Sequence, residues 1–139
     1  MTKRTVLILC TGNSCRSQMA EGLINHDLGD RWQAYSAGTE PSGYVHPLAV
    51  RAMAELGIDI SAGRSKSTDE FRDVDFDLVI TVCDDAAENC PLWLRGGRVV
   101  HIGFVDPAKA TGTEAERLAV FREVRDQIRD QVVGYLGSG

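Results

Sequence analysis

The sequence predicts an α/β fold: one domain over positions 1–139, built as a doubly wound sheet of four mainly parallel strands with helices on both faces. Three observations carry this expectation. A chain of 139 residues has the size of one ordinary domain. Its 43% hydrophobic and 25% charged residues are the composition of a globular protein with a real core, not of a disordered tail or a collagen-like fibre. Short apolar, β-branched runs alternate with stretches whose apolar residues recur every three or four positions, the pattern of βαβ units.

The first run, at positions 5–9, is continuously apolar or β-branched, as a strand buried on both sheet faces must be. From position 17 to 28, Met19, Ala20, Leu23, Ile24 and Leu28 share a helical face, and Gly29 supplies the stop. Positions 32–37 read as the second strand. Pro47 opens a helix with Leu48, Ala52, Met53 and Leu56 on one face, ended by Gly57. Positions 78–82 and 99–102 are the third and fourth strands. Thr113 and Glu116 have capping-box spacing, and Phe121, Val124, Ile128, Val132 and Tyr135 continue as the stripe of a long last helix. Gly43 and Gly97 read as turn residues, and Trp32 and Trp93 as core or rim. Right-handed crossovers place helices on both faces, and ligands bind beyond the carboxyl ends of the strands. Cys10 and Cys83, which follow strands one and three, are thereby expected at one edge.

Fifteen basic and twenty acidic residues give a net charge of -5, which argues against nucleic acid or an anionic membrane as partner. Apolar runs are far shorter than the roughly 20 residues that span a bilayer, and the first residues carry no cleavage signature, so a cytoplasmic location is expected. The four cysteines, Cys10, Cys15, Cys83 and Cys90, then read as catalytic, redox-active or metal-binding rather than as a disulfide framework.

The chemistry concentrates in Cys10-Thr11-Gly12-Asn13-Ser14-Cys15-Arg16-Ser17, between a strand and a helix start. Such a loop turns backbone N–H groups toward an oxyanion at the positive end of the helix dipole. Gly12 and Asn13 tolerate left-handed backbone angles, and the planar fork of Arg16 matches two oxygens of a tetrahedral dianion. Thr11, Gly12, Asn13, Ser14, Cys15 and Arg16 form the expected oxyanion cradle. The same donors suit a thiolate at Cys10, with Ser17 placed to hydrogen-bond its sulfur, so Cys10 is the candidate nucleophile. The plainer reading of Cys10 is a small apolar residue at a strand end. Asp106, before Pro107, is a candidate general acid at the same edge or an ordinary Asp-Pro turn.

Cys-x5-Arg followed by Ser resembles the signature of protein tyrosine phosphatases, and its N-terminal place resembles the low-molecular-weight class. The run from Cys10 to Gly22 is closer still to the thioredoxin-coupled arsenate reductases built on that scaffold. The likeness continues through Ser36-Ala37-Gly38, Gly57-Ile58-Asp59-Ile60-Ser61, the segment from Val82 to Pro91 with Cys83 and Cys90, and Asp106-Pro107-Ala108 with Ala110 and Gly112. It implies a monomeric enzyme without cofactor that reduces arsenate, with phosphate or sulfate as competing anions and thioredoxin as electron donor. Cys10 would form a thiol-arsenate adduct, Cys83 would attack Cys10, Cys90 would attack Cys83, and Asp106 would be the general acid. If positions 83–90 are helical, seven steps of about 1.5 Å hold the two Cα atoms roughly 10 Å apart, too far for a disulfide. Oxidation is therefore expected to loop out residues 84–89.

The resemblance also matches Asn13, Glu21 and Ser36 to a potassium site of some relatives, with a solvated helix carboxylate as the equal alternative for Glu21. Other readings stay open. One is a low-molecular-weight tyrosine or small phosphomonoester phosphatase with a protective distal cysteine pair. Another is a redox sensor without turnover. A four-cysteine zinc site lacks the paired Cys-x2-4-Cys spacing. Cys15 reads as a tolerated small side chain, and His26, His46 and His101 share no ligand spacing.

Overall fold

The computed structural model describes residues 3–84, 86, 90 and 98–138. Its sheet holds β1 (Arg4–Cys10), β2 (Trp32–Gly38), β3 (Leu78–Thr81) and β4 (Val99–His101) in the order β2-β1-β3-β4, and all three pairings are parallel. The most apolar run occupies the central β1, where Val6, Leu7, Ile8 and Leu9 are wholly buried. Successive strand residues face opposite ways, so burial of all four requires cover on both faces. On one face, helix α1 (Arg16–Asp27) meets β2: the Asn25 amide bonds the N–H and C=O of Ala34, and Ser36 Oγ donates to Glu21. On the other, Tyr35 packs edge-on against Phe71 and Phe76, with centroids 5.7 Å apart in each pair. Trp32 joins the core, with the Arg4 guanidinium 4.6 Å from its ring centre. Trp93 and Gly97 lie outside the described residues.

Two helix ends depart from expectation. Gly29 has no left-handed backbone angle; a Cβ there would stand 2.3 Å from the Asn25 carbonyl oxygen, so the stop works through lack of space. Gly43 and Gly57 do take positive φ, 92° and 76°. Helix α2 (Pro47–Ala54) is capped by His46, whose ring nitrogen accepts from Leu48 N–H. Helix α3 (Glu114–Ile128) starts with the predicted capping box, Thr113 and Glu116 each bonding the other's backbone N–H. The buried Arg125 fastens α3 to α2 through the Ala52 carbonyl and Glu55. After α3 a π-turn spans Arg129–Val133. Its wider winding delays the register, so Leu136 continues the buried stripe after Val132, and Tyr135 instead accepts a hydrogen bond from Arg98. Among the described residues no helix is long and apolar enough to cross a membrane.

The register sets the functional edge. Cys10 lies beside Gly38, Leu9 beside Thr81, and Thr81 beside His101, so the chain leaves β1, β3 and β4 on the same side.

Candidate active site

The loop from Cys10 to Arg16 is held by its carbonyls. Those of Cys10, Thr11, Gly12 and Ser14 accept from the N–H groups of Thr39, Glu40, Ser42 and His46 at 2.8–3.3 Å. Ser65 Oγ adds a bond to the Gly12 carbonyl at 2.8 Å. In a trans peptide the following N–H points away from its carbonyl, so the loop amides are turned to the opposite side. Asn13 N–H demonstrates it by reaching Cys10 Sγ at 3.2 Å. Asn13 has φ 50°, the left-handed angle expected of it, and is wholly buried; Gly12, paired with it in that expectation, takes no positive φ, and a Cβ there would stand 2.6 Å from Ser42 Oγ.

Cys10 Sγ also lies 2.9 Å from Ser17 Oγ. Because Asn13 Nδ2 donates to Ser17 Oγ at 2.7 Å, the Ser17 hydroxyl hydrogen is left for the sulfur. The Asn13 amide is fixed in turn: its Oδ1 accepts from Lys66 N–H at 2.9 Å and from Gln18 Nε2 at 3.1 Å. Gln18 Nε2 also bonds the Asn13 and Arg64 carbonyls, stitching the loop to the segment beyond α2. Gln18 and Lys66 escaped the sequence reading because each is ordinary as a polar residue in its local pattern.

Arg16 opens α1 and is steadied by the loop after β4, donating to the Phe104 carbonyl at 3.1 Å and standing 3.7 Å from Asp106. Its Nε is buried and has no hydrogen-bond partner among the described residues, a donor that a bound oxyanion suits. Asp106 makes the Asp-Pro turn, its Oδ1 capping Pro107–Lys109 by accepting from Ala108 N–H, while its Oδ2 faces Arg16. Cys10, Arg16, Cys83 and Asp106 line one cleft of about 820 Å³.

All four cysteines are buried thiols. Cys83 Sγ lies 3.3 Å from the Thr11 hydroxyl and 3.4 Å from Ala86 N–H, and the first contact ties it to the Cys10–Arg16 loop. Cys90 is buried, but positions 85, 87–89 and 91–97 lie outside the described residues, and with them the expected looping-out. Burial pushes the Cys15 thiol up to about 12, against a weaker opposing bond from Ser14, so it stays protonated at neutral pH.

The structure brings Glu21 and Ser36 together at 2.9 Å, with the Lys66 ammonium 3.9 Å from Glu21, whereas Asn13 Oδ1 is already engaged. Among the described residues no three His, Cys, Asp or Glu side chains are grouped as metal ligands. His46 caps α2 at the cleft wall, and burial, then Arg117, holds its pKa below the usual value. His101 links Thr81 Oγ1 to Asp84 at 2.7 and 3.0 Å, beside Cys83, a contact no spacing rule announces. His26 stays exposed beside Asp27.

A parallel α/β sheet whose central strand ends in a cysteine-arginine loop wrapped onto a helix N-terminus defines the cysteine-dependent, oxyanion-handling class. The chain belongs to the low molecular weight phosphotyrosine protein phosphatase family, whose model matches residues 5–138. It is 50% identical to an arsenate reductase of Bacillus licheniformis over 139 residues, covering 100% of this chain and 99% of the relative. Among solved structures it resembles an arsenate reductase in the phosphate binding state, with TM-score 0.79 and 32% identity over 97% of this chain and 98% of the other. A thioredoxin-dependent arsenate reductase of Corynebacterium glutamicum superposes with TM-score 0.69 and 27% identity, covering 99% of this chain and 64% of that one.

Proposed function

We propose that this chain is an arsenate reductase that carries electrons out through its own cysteines. The observation that carries the reading is Cys83 Sγ at 3.3 Å from Thr11, a second buried thiol tied to the loop of the first and lining the same cleft. A phosphatase needs one thiol, whereas reducing arsenate to arsenite takes the two electrons that a closing disulfide supplies.

The Cys10 thiolate attacks the arsenic of bound arsenate, whose oxygens are taken by the loop amides and Arg16. The arsenate hydroxyl leaves as water with a proton from Asp106 as the sulfur-arsenic bond forms, giving the thiol-arsenate adduct. Cys83 then attacks Cys10 Sγ; the sulfur-arsenic bonding pair stays on arsenic, which is thereby reduced by two electrons and departs as arsenite. Cys90 attacks the resulting Cys10–Cys83 disulfide at Cys83, restoring the Cys10 thiol, and thioredoxin reduces the Cys83–Cys90 disulfide. Ser17 and Asn13 hold the Cys10 sulfur through both of its displacements. The relatives' names support the substrate, and the name of the Corynebacterium relative supports the electron donor.

The description of the matching family favours a second reading, hydrolysis of a phosphate ester by the same loop. The deciding experiment is arsenate-dependent NADPH consumption with thioredoxin and thioredoxin reductase, comparing wild type with Cys10→Ser, Cys83→Ser and Cys90→Ser. Multiple turnover abolished by each substitution is expected. No arsenate turnover beside Cys10-dependent hydrolysis of a phosphate ester would replace the reductase with a phosphatase.

A further inference from the structure

Behind the loop, α1, β2 and the segment after α2 enclose a carboxylate and an ammonium. Glu21 Oε1 accepts from Ser36 Oγ at 2.9 Å and lies 3.9 Å from Lys66 Nζ, with side chains 24% and 12% exposed. Lys66 Nζ also donates to the Arg64 carbonyl at 3.1 Å. The backbone of the same lysine is built into the fold on both sides: its carbonyl accepts from Gly38 N–H at 2.8 Å, and its N–H donates to Asn13 Oδ1. From Asn13 the contacts run on through Ser17 Oγ to Cys10 Sγ.

The potassium set suggested by resemblance does not fit this arrangement. A hard cation needs several oxygens with lone pairs to give. Asn13 Oδ1 already accepts two N–H groups, and the charge that Glu21 requires stands beside it as an ammonium. A second monovalent cation at that point would meet Lys66 as a like charge.

We propose that Lys66 supplies this cation from within the chain, and that the Glu21–Lys66 pair is a positioning element for Asn13, making the oxyanion loop independent of added potassium. The inference rests on reading the loop as the oxyanion site. Burial acts on both partners, driving Glu21 up and Lys66 down, and their mutual attraction opposes it in each, as in a pair kept charged by its own complement.

The test compares wild type, Lys66→Gln and Lys66→Arg in potassium chloride and in tetramethylammonium chloride at equal ionic strength, reading phosphate affinity by calorimetry and the thermal midpoint. Wild type and Lys66→Arg should behave alike in both salts. Lys66→Gln should lose about tenfold in phosphate affinity in tetramethylammonium and recover it in potassium, which then occupies the place of the lost ammonium. A wild type whose affinity or midpoint rises with potassium would overturn the proposal. So would a Lys66→Gln variant identical to wild type in both salts, or one whose loss potassium does not restore. A wild type that binds no phosphate in either salt would remove the oxyanion reading instead, and the midpoints would then decide the cation question alone. Should Lys66→Gln fail to fold in tetramethylammonium, its rescue or non-rescue by potassium is itself the readout.

Discussion

Substituting Asn13 tests the loop at its most constrained residue. Asn13→Ala and Asn13→Gly both remove bonds to Ser17, Lys66 and Gln18. Their consequences differ in kind. Gln18 Nε2 keeps two carbonyl acceptors and Ser17 keeps Cys10, but Lys66 N–H loses its acceptor inside the protein. One orphaned, partly buried donor at about 1–3 kcal/mol, with two further bonds at about 0.5–1.5 kcal/mol each, puts the shared loss at about 2–6 kcal/mol. The backbone then separates the variants. At φ 50° alanine carries an added cost of about 1–2 kcal/mol, while glycine carries about 0.5–1 kcal/mol of extra chain entropy. Asn13→Gly should therefore be the more stable of the two by roughly 0.5–1 kcal/mol, reversing the usual order. Urea unfolding of the reduced proteins measures it directly. If alanine equals or exceeds glycine, the residue is not held in the left-handed region. If both lie within about 1 kcal/mol of wild type, the Asn13 contacts contribute too little to organise the loop.

Further outcomes follow from single groups. Cys15→Ala should leave turnover within about threefold of wild type, since a thiol held at about 12 supplies no nucleophile at neutral pH; loss comparable to Cys10→Ser would give Cys15 a chemical role. His46 has a folded pKa below its ordinary 6.5, so the unfolded chain binds more protons and stability falls as pH drops below that value. His46→Asn, which keeps a capping side chain without titrating there, should flatten urea midpoints between pH 5 and 7, and an unchanged slope would refute the assignment. Glu55 is lowered from 4.5 to about 2, chiefly by its bond to Arg122, so its contribution is present above 4.5 and is lost as pH falls toward 2. Being a third exposed, it contributes only about 1 kcal/mol or less, and Glu55→Gln should weaken unfolding resistance at pH 6 by that amount but not at pH 2.

Apart from the gathering of Cys10 and Cys83 at one sheet edge, which follows from the general rule for parallel α/β sheets, what was legible in the sequence is local. The β1 run, the capping box of α3, the left-handed Asn13 and the cysteine-arginine loop are each dictated by neighbours within a turn or a strand. The departures come from irregular helix ends and from groups brought together across the chain. The π-turn that exchanges Tyr135 for Leu136 on the buried stripe leaves every residue of the pattern apolar, so periodicity alone has no means of seeing the slip. Gln18 and Lys66 are unremarkable letters until the fold stacks them on Asn13, five and fifty-three positions away.

Gly38 shows how the two kinds of information meet. In the sequence it closes the short Ser36-Ala37-Gly38 run at the end of the second strand, one of the segments that carry the resemblance. In the fold its φ is ordinary, and what excludes a side chain is the loop: a Cβ would stand 2.5 Å from the Thr11 carbonyl oxygen and 3.1 Å from Asn13 N. The Gly38 N–H donates to the Lys66 carbonyl as well, so a single residue without a side chain lets the Cys10–Arg16 loop and the Lys66 segment approach the same strand end from two directions. Any substitution there must displace backbone rather than a flexible side chain. The geometry of the Cys10–Arg16 loop thus depends on a contact between β2 and the loop as much as on the loop's own residues.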